Sequence, residues 1–338
     1  MSAIEEVGSQ APAVEAVPKR AMTLSSGTAF VVVLLLLVVP LFVKNFIIFQ
    51  MTMLLIYGLA VLALNILTGG SGQFSLGQSA FYAVGAYTSA ILMEQYNINY
   101  ALTLPVAGVV CFGFGFLFGQ PALRLSGVYL ALATFALATA MPQILKLGFF
   151  EHWTGGVQCL VVTKPDAPFG LPMSQDMWLY YFTLAITIAI YIFSVNLLRS
   201  RSGRAFMAIR DNEIAASAMG IDVATYKTLA FGVSAGITGV AGGLGAIAVQ
   251  FVAPDSYTIV LAISLFLGMV VGGVGWLPGS FIGAAFIIFV PNIAEGISKG
   301  LSGAVFGVLL FLIIFLVPHG ARQVAMVAQQ LLSKVRKT

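Results

Sequence analysis

The side chains capable of chemistry are gathered in one place. Residues 199–227, RSRSGRAFMAIRDNEIAASAMGIDVATYK, hold Arg199, Arg201, Arg204, Arg210, Asp211, Glu213, Asp222 and Lys227, out of 16 basic and 12 acidic residues in the whole 338-residue chain. Arginines interleaved with carboxylates, with no His or Cys among them, point to ion pairing and docking rather than bond making. Elsewhere reactive groups are sparse. No G-x-x-x-x-G-K-[ST] phosphate loop occurs, so the chain cannot by itself bind phosphate for ATP hydrolysis. His152 and His319 lack ligand-spaced companions, so no metal site is expected. Cys111 falls in an apolar stretch and Cys159 in a polar loop, and both read as small packing residues. No nucleophile–His–acid set fits within the apolar stretches. No catalytic residue is assigned, and no enzyme is expected.

The elements around this segment are built from hydrocarbon. Apolar residues make up 59% of the chain, charged residues 8%, and the mean hydropathy is +1.00. A soluble domain carries about 25% charge, so this chain cannot cover a water-facing surface. Charge-free runs of about 17 residues or more match the length needed to cross a bilayer core. A barrel would alternate apolar and polar residues with period two, and is excluded. The expected class is an all-α polytopic membrane protein of about ten transmembrane helices. These lie near 25–43, 46–67, 76–93, 101–119, 126–145, 178–198, 228–250, 258–274, 280–295 and 303–318. A disordered tail is expected at 1–24, one transmembrane domain over 25–320, and a basic tail at 321–338. Lys19 and Arg20 before the first apolar run imitate a signal peptide, but another span follows at once and a retained helix is expected.

Basic residues orient the bundle. With both termini inside, Lys19, Arg20, Arg124, Arg199, Arg201, Arg204, Arg210, Lys227, Arg322, Lys334, Arg336 and Lys337 are cytoplasmic, and only Lys44, Lys146, Lys164 and Lys299 are external. The net charge of +4 and pI of about 9.1 reflect such loops rather than nucleic-acid binding. Residues 146–177, with Trp153, Pro165, Pro168 and Pro172, form the largest external segment. It reads equally as a cap over helix ends or as part of a landing surface for an external partner.

The spans hold no deeply placed charge, since Glu94, Arg124, Asp255 and Glu295 all fall near helix ends. Gradient-driven pumps need such groups, which argues against proton coupling. Uncharged polar residues do gather near the second and third helices: Asn65, Gln73, Ser75, Gln78, Ser79, Tyr82, Tyr87 and Thr88. Gln78, Tyr82 and Ser75 recur at helical spacing. Asn65, Gln73, Ser75, Gln78 and Tyr82 are candidates for a translocation path, the alternative being hydrogen bonding between packed helices. A GG-x-G element occurs at 69–72 and again at 272–275, where glycine packing between helices is the simpler reading.

Within 199–227 the sequence predicts a short stopped helix. Asn212 can cap it, Glu213 suits the positive end of its dipole, and residues 214–219 supply two turns. Gly220 can take the left-handed conformation that ends it, and Asp222 can cap the next helix. So short a helix needs neighbouring protein to hold it. Two alanines on it allow another surface to approach closely. The bland alternative is a surface turn with Phe206, Met207 and Ile209 dipping into lipid.

Three stretches carry a resemblance: GRAFMAIRDNEIAASAMGID at 203–222, LNILTGGSGQFSLGQSAFYAVGAYT at 64–88 and PALRLSGVYLAL at 121–132. They resemble LivM-type permeases, membrane subunits of ABC importers for branched-chain and related hydrophobic amino acids. The resemblance covers roughly residues 29–320. It implies that Arg210, Asn212, Glu213, Ala215, Ala216 and Gly220 belong to an ATPase-coupling helix. The spacing E-x-A-A-x-x-x-G is one residue longer than the simplest form of the coupling motif. It also implies a second, LivH-type permease, two ABC ATPase subunits that hold ATP and Mg, a periplasmic solute-binding protein, and residence in a bacterial inner membrane. This chain itself would bind no cofactor. Permeases of this kind also serve urea, short amides and aromatic acids, which stays open, as does a self-sufficient channel or secondary transporter.

Overall fold

The computed structural model describes residues 33–122, 127–156, 159–167, 173–297 and residue 307. The expected tails at 1–24 and 321–338, the tenth span at 303–318, most of the first at 25–43, and Arg124 lie outside the described residues. Among the described residues the regular structure is helical apart from one pair of two-residue strands. The helices are α1 (Asn45–Asn65), continued by a π-turn (Ile66–Gly70), α2 (Gln78–Glu94), α3 (Tyr100–Ala122), α4 (Val128–Leu145), α5 (Gly148–Thr154) and α6 (Gln175–Arg199). There follow α7 (Arg201–Asp211), α8 (Glu213–Ala218), α9 (Val223–Val249), α10 (Ile259–Gly272) and α11 (Gly279–Ile297).

Six helical segments among the described residues are long and apolar enough to cross a bilayer: Asn45–Gly70, Tyr100–Pro121, Val128–Leu145, Gln175–Arg199, Val223–Val249 and Pro254–Gly272. The third and ninth expected spans are helices too, α2 and α11, but less emphatic ones. α2 has 17 residues, and Gln78, Ser79, Tyr82 and Ser89 dilute its hydropathy. It lies almost wholly inside the bundle, where Gln78 bonds to Ser234 and Thr238 of α9, while the Ser79 and Ser89 hydroxyls are buried with no hydrogen-bond partner among the described residues.

The long central helix α9 organises the bundle by packing along α3 and α2. Lipid offers no hydrophobic drive for helix association, so small residues must let backbones come close enough for dispersion to hold them. A Cβ added at Gly239 would sit 2.5 Å from Cys111 Cβ, and one at Gly85 would strike the Gly239 backbone. Cys111 is therefore a packing residue, and its thiol also donates to the Phe81 carbonyl at 3.4 Å. At 1.5 Å per residue α9 spans about 40 Å, which separates its two ends by a bilayer thickness. Beyond its far end, Phe251–Val252 pairs antiparallel with Leu160–Val161 of the 146–177 segment, and Lys146 lies 2.6 Å from Asp255. Gln95 donates to the His152 carbonyl at 3.0 Å. The described part of the 146–177 segment thus folds onto helix ends.

Candidate functional site

Residues 199–227 fold as three caps in series. Ser200 leaves α6 in extended conformation and accepts a hydrogen bond from Gly203 N–H, which starts α7. Gly203 turns so tightly that an added Cβ would lie 2.3 Å from the Leu198 carbonyl oxygen. Asn212 Oδ1 accepts from Ala215 N–H at 2.9 Å and starts α8, with Glu213 in its first turn. Gly220, at φ +81°, ends it: its N–H donates to Ser217 O and Ile221 N–H to Ala216 O, the paired bonds of a Schellman stop. Asp222 then caps α9, accepting from Thr225 N–H at 3.3 Å and from Thr225 Oγ1 at 2.6 Å. The hydroxyl is the main reason the Asp222 carboxyl is held below the usual carboxylate range, with backbone N–H donors adding to it.

α7 is the element the sequence reading missed. Phe206 and Ile209 do not dip into lipid. Phe206 is fully buried, with its ring 6.2 Å from that of Tyr226, and both side chains face the protein. The signal was present: Ala205, Phe206 and Ile209 share one face, while Arg201, Arg204 and Asp211 take the other. α8, by contrast, buries only Ala216. Ile214 and Met219 are more than four-fifths exposed. Ala215 is exposed beside them, so α8 offers an apolar, close-approach surface.

Two groups of candidates that look separate in the sequence meet here. Arg210 Nη1 donates to the Gly69 carbonyl at 2.8 Å, while its Nε and Nη2 donate to Asp211 Oδ1 at 3.0 and 2.9 Å. Gln73 Nε2 donates to Ser71 Oγ at 2.9 Å and to the Lys227 carbonyl at 3.2 Å. Lys227 in turn pairs with Glu213 at 2.6 Å. The loop after the π-turn is thus held from both flanks of α8. Between them opens a cleft of about 800 Å³ lined by Gln73, Phe74, Ile209, Arg210, Glu213 and Lys227, among others.

The remaining path candidates are buried and engaged within the chain. The two N–H groups of Asn65 Nδ2 are shared among Gly273 O, Trp276 O and Ser280 Oγ at 3.1–3.3 Å, and its Oδ1 accepts from Gly275 N–H at 2.7 Å. Gln78 donates to Ser234 Oγ at 2.9 Å and accepts from Thr238 Oγ1 at 2.7 Å, tying α2 to α9. Ser75 Oγ accepts from Gly77 N–H at 3.2 Å. Tyr82 is buried among aromatic rings, 5.8 Å from Tyr257 and 6.3 Å from Tyr57. The two GG-x-G elements also meet, since a Cβ on Gly69 would lie 2.5 Å from Gly275 N. Among the described residues no three His, Cys, Asp or Glu side chains converge as metal ligands.

Residues 46–317 match the family described as branched-chain amino acid transport system / permease component. The chain is similar to the high-affinity branched-chain amino acid transport system permease protein LivM of Salmonella typhimurium, at 35% identity over 66% of this chain and 58% of the relative. The Escherichia coli protein of the same name is 34% identical over 73% of this chain and 63% of its own length. The chain thus spans less than two thirds of these LivM relatives. The autoinducer 2 import system permease protein LsrC of Escherichia coli is 29% identical over 75% of this chain and 72% of the relative. No solved structure matches. The chain belongs to the permease-component family of branched-chain amino acid transport systems, ABC membrane subunits that are not themselves ATPases.

Proposed function

We propose that this chain is one membrane-spanning subunit of an ABC importer, and that with a second, LivH-type permease it forms a path for branched-chain or related hydrophobic amino acids. Two cytoplasmic ATPase subunits hold ATP and Mg, and a periplasmic binding protein delivers the solute. The chain resides in a bacterial inner membrane with both termini cytoplasmic and about ten spans.

The observation that carries this reading is α8. It is a six-residue helix, capped at one end by Asn212 and stopped at the other by Gly220, with Ile214 and Met219 turned outward. An isolated helix of this length has no stability of its own, and apolar side chains so exposed call for a protein partner. Arg210, Asn212, Glu213, Ala215, Ala216 and Gly220 form or brace it, and we assign them to coupling. ATP-driven closure of the partner ATPases displaces α8 and switches the path between outward-facing and inward-facing states. Asn65, Gln73, Ser75, Gln78 and Tyr82 remain the path candidates, acting by positioning helices around it. Solute choice rests with the delivering protein. The similarity of this one sequence to LivM and to LsrC, whose names carry different solutes, supports that division.

The test is purification of the chain from native membranes followed by reconstitution. An ATPase subunit co-purifies, and Gly220→Pro abolishes uptake while ATP hydrolysis continues. Gradient-driven uptake by the chain alone in liposomes contradicts the proposal. A ligand screen of the co-purified binding protein then identifies the solute.

A further inference from the structure

The π-turn Ile66–Gly70 lies between two structures that otherwise have no reason to communicate. On one side is α7, which leads into α8. On the other is the connection between α10 and α11. A π-turn breaks the regular bond ladder of its helix and leaves carbonyls for other donors. The Gly69 carbonyl takes its bond from Arg210, whose guanidinium plane is fixed by two bonds to Asp211. The following loop rests on the Arg210 stem, since a Cβ on Gly72 would lie 3.0 Å from Arg210 Cγ. On the opposite side the same turn presses its backbone on Gly275, and Asn65, immediately before it, uses both its amide N–H groups and its carbonyl oxygen on residues 273–280. Asn65 itself is 1% exposed, so its amide is buried away from water. The gripped connection is an articulated one: Gly273 and Gly275 hold φ of +100° and +79°, and α10 ends there.

We infer that Arg210 and Asn65 are positioning residues of a relay that carries displacement of α8 through the π-turn into the α10–α11 connection. The relay rests on the coupling reading above. Arg210 pulls or releases the Gly69 carbonyl as α7 moves, and Asn65 converts that shift into movement of the glycine-hinged connection. Glycine-to-glycine backbone contact leaves no compressible side chain between the two, so a small shift is transmitted rather than absorbed.

The experiment uses the full transporter complex in nanodiscs, with spin labels introduced at Met219 on α8 and at Val274 in the connection, each paired with a label at Val249. Distances are read with and without vanadate-trapped ATP. In the parent both the α8 label and the Val274 label move. In Arg210→Gln the α8 label still moves, the Val274 label does not, and solute carried per ATP falls about tenfold. Arg210→Lys, which keeps the charge but loses the planar fork, behaves as Arg210→Gln. Asn65→Leu has the same outcome, and combining it with Arg210→Gln adds no further loss, because the two act in series. Movement at Val274 unchanged in folded Arg210→Gln or Arg210→Lys complexes overturns the relay. If neither label moves in the parent, or no ATPase accompanies the chain, the coupling reading itself fails and the relay falls with it.

Discussion

Glu213 and Lys227, fourteen residues apart, close the polar segment on itself: the glutamate Oε2 lies 2.6 Å from the lysine Nζ. The lysine side chain is only 12% exposed and the glutamate 51%, so the pair stands at the boundary between solvent and protein. It joins the first turn of α8 to the second turn of α9, the helix that runs through the centre of the bundle. α8 is thereby tied to the start of α9 while its apolar face stays open.

The pair predicts a charge-swap phenotype. Glu213→Gln and Lys227→Met each loosen α8, by about 0.2–1 kcal/mol for a partly exposed ion pair. Glu213→Lys combined with Lys227→Glu restores much of the lost order. Hydrogen exchange of the amides at 214–219 reads this directly, and the parent's advantage shrinks at high salt. Equal exchange in single and double variants contradicts the role given to the pair.

Gly220 predicts a purely conformational cost. An added Cβ meets no atom within 4 Å, yet the backbone sits at φ +81°. Gly220→Ala therefore costs about 1–2 kcal/mol locally, and Gly220→Asn less. The thermal midpoint of the transmembrane bundle stays unchanged while capture of the ATPase subunit falls. Asn212→Ala weakens the opposite end of α8 by about 1 kcal/mol, and Asn212→Asp restores the cap.

Asp222 predicts an acid limb. Its carboxyl is held below the ordinary value by the donated bonds from Thr225. A depressed folded pKa means that the stabilisation is fully present above the unfolded value of about 3.9 and is lost as pH falls through the folded one. Protection of the Thr225 amide is therefore flat from neutral pH down to about pH 4 and declines only in stronger acid. Asp222→Asn keeps a side-chain acceptor and removes the decline. Thr225→Val moves the decline upward in pH. A loss of protection centred near neutrality argues against this cap.

The caps were legible because they are local. Asn212, Gly220 and Asp222 each announce their conformation through their own covalent structure, and the structure places a cap, a stop and a cap there. α7 was not read because its apolar face is only three residues wide, and Phe206 and Ile209 beside arginines look equally suited to a lipid surface. The link between Arg210 and Gly69 has a sequence separation of 141 residues and no covalent signature. Asn65 and Gln78 were legible as polar residues in apolar helices, but their partners, at separations of 156 to 215, are set by which helices pack together. Hydropathy likewise located the emphatic spans and also α2, expected near 76–93 and found at Gln78–Glu94, but not the Ser234 and Thr238 side chains of α9 that Gln78 bonds to.

The contact that brings α2, α3 and α9 together yields the most demanding prediction. Gly239 faces Cys111 so closely that a new Cβ would lie 2.4 Å from its Sγ and 2.5 Å from its Cβ, with the Ala107 carbonyl oxygen next at 3.0 Å. Gly239→Ala must push α3 away from α9, and overpacking of this kind costs about 1–3 kcal/mol. The same substitution at Gly113, where nothing lies within 4 Å, is neutral or mildly stabilising. Since the two nearest atoms both belong to Cys111, Cys111→Gly in the Gly239→Ala background removes the main clash. The double variant is then more stable than the sum of the single effects requires, by at least about 1 kcal/mol, as expected for residues in contact. Thermal unfolding of detergent-purified protein, followed by size-exclusion chromatography, measures all four proteins. Simple additivity shows that helix approach at this crossing is not limited by the Gly239–Cys111 contact, and shifts the origin of the close packing to Gly85 and the α2 face of α9.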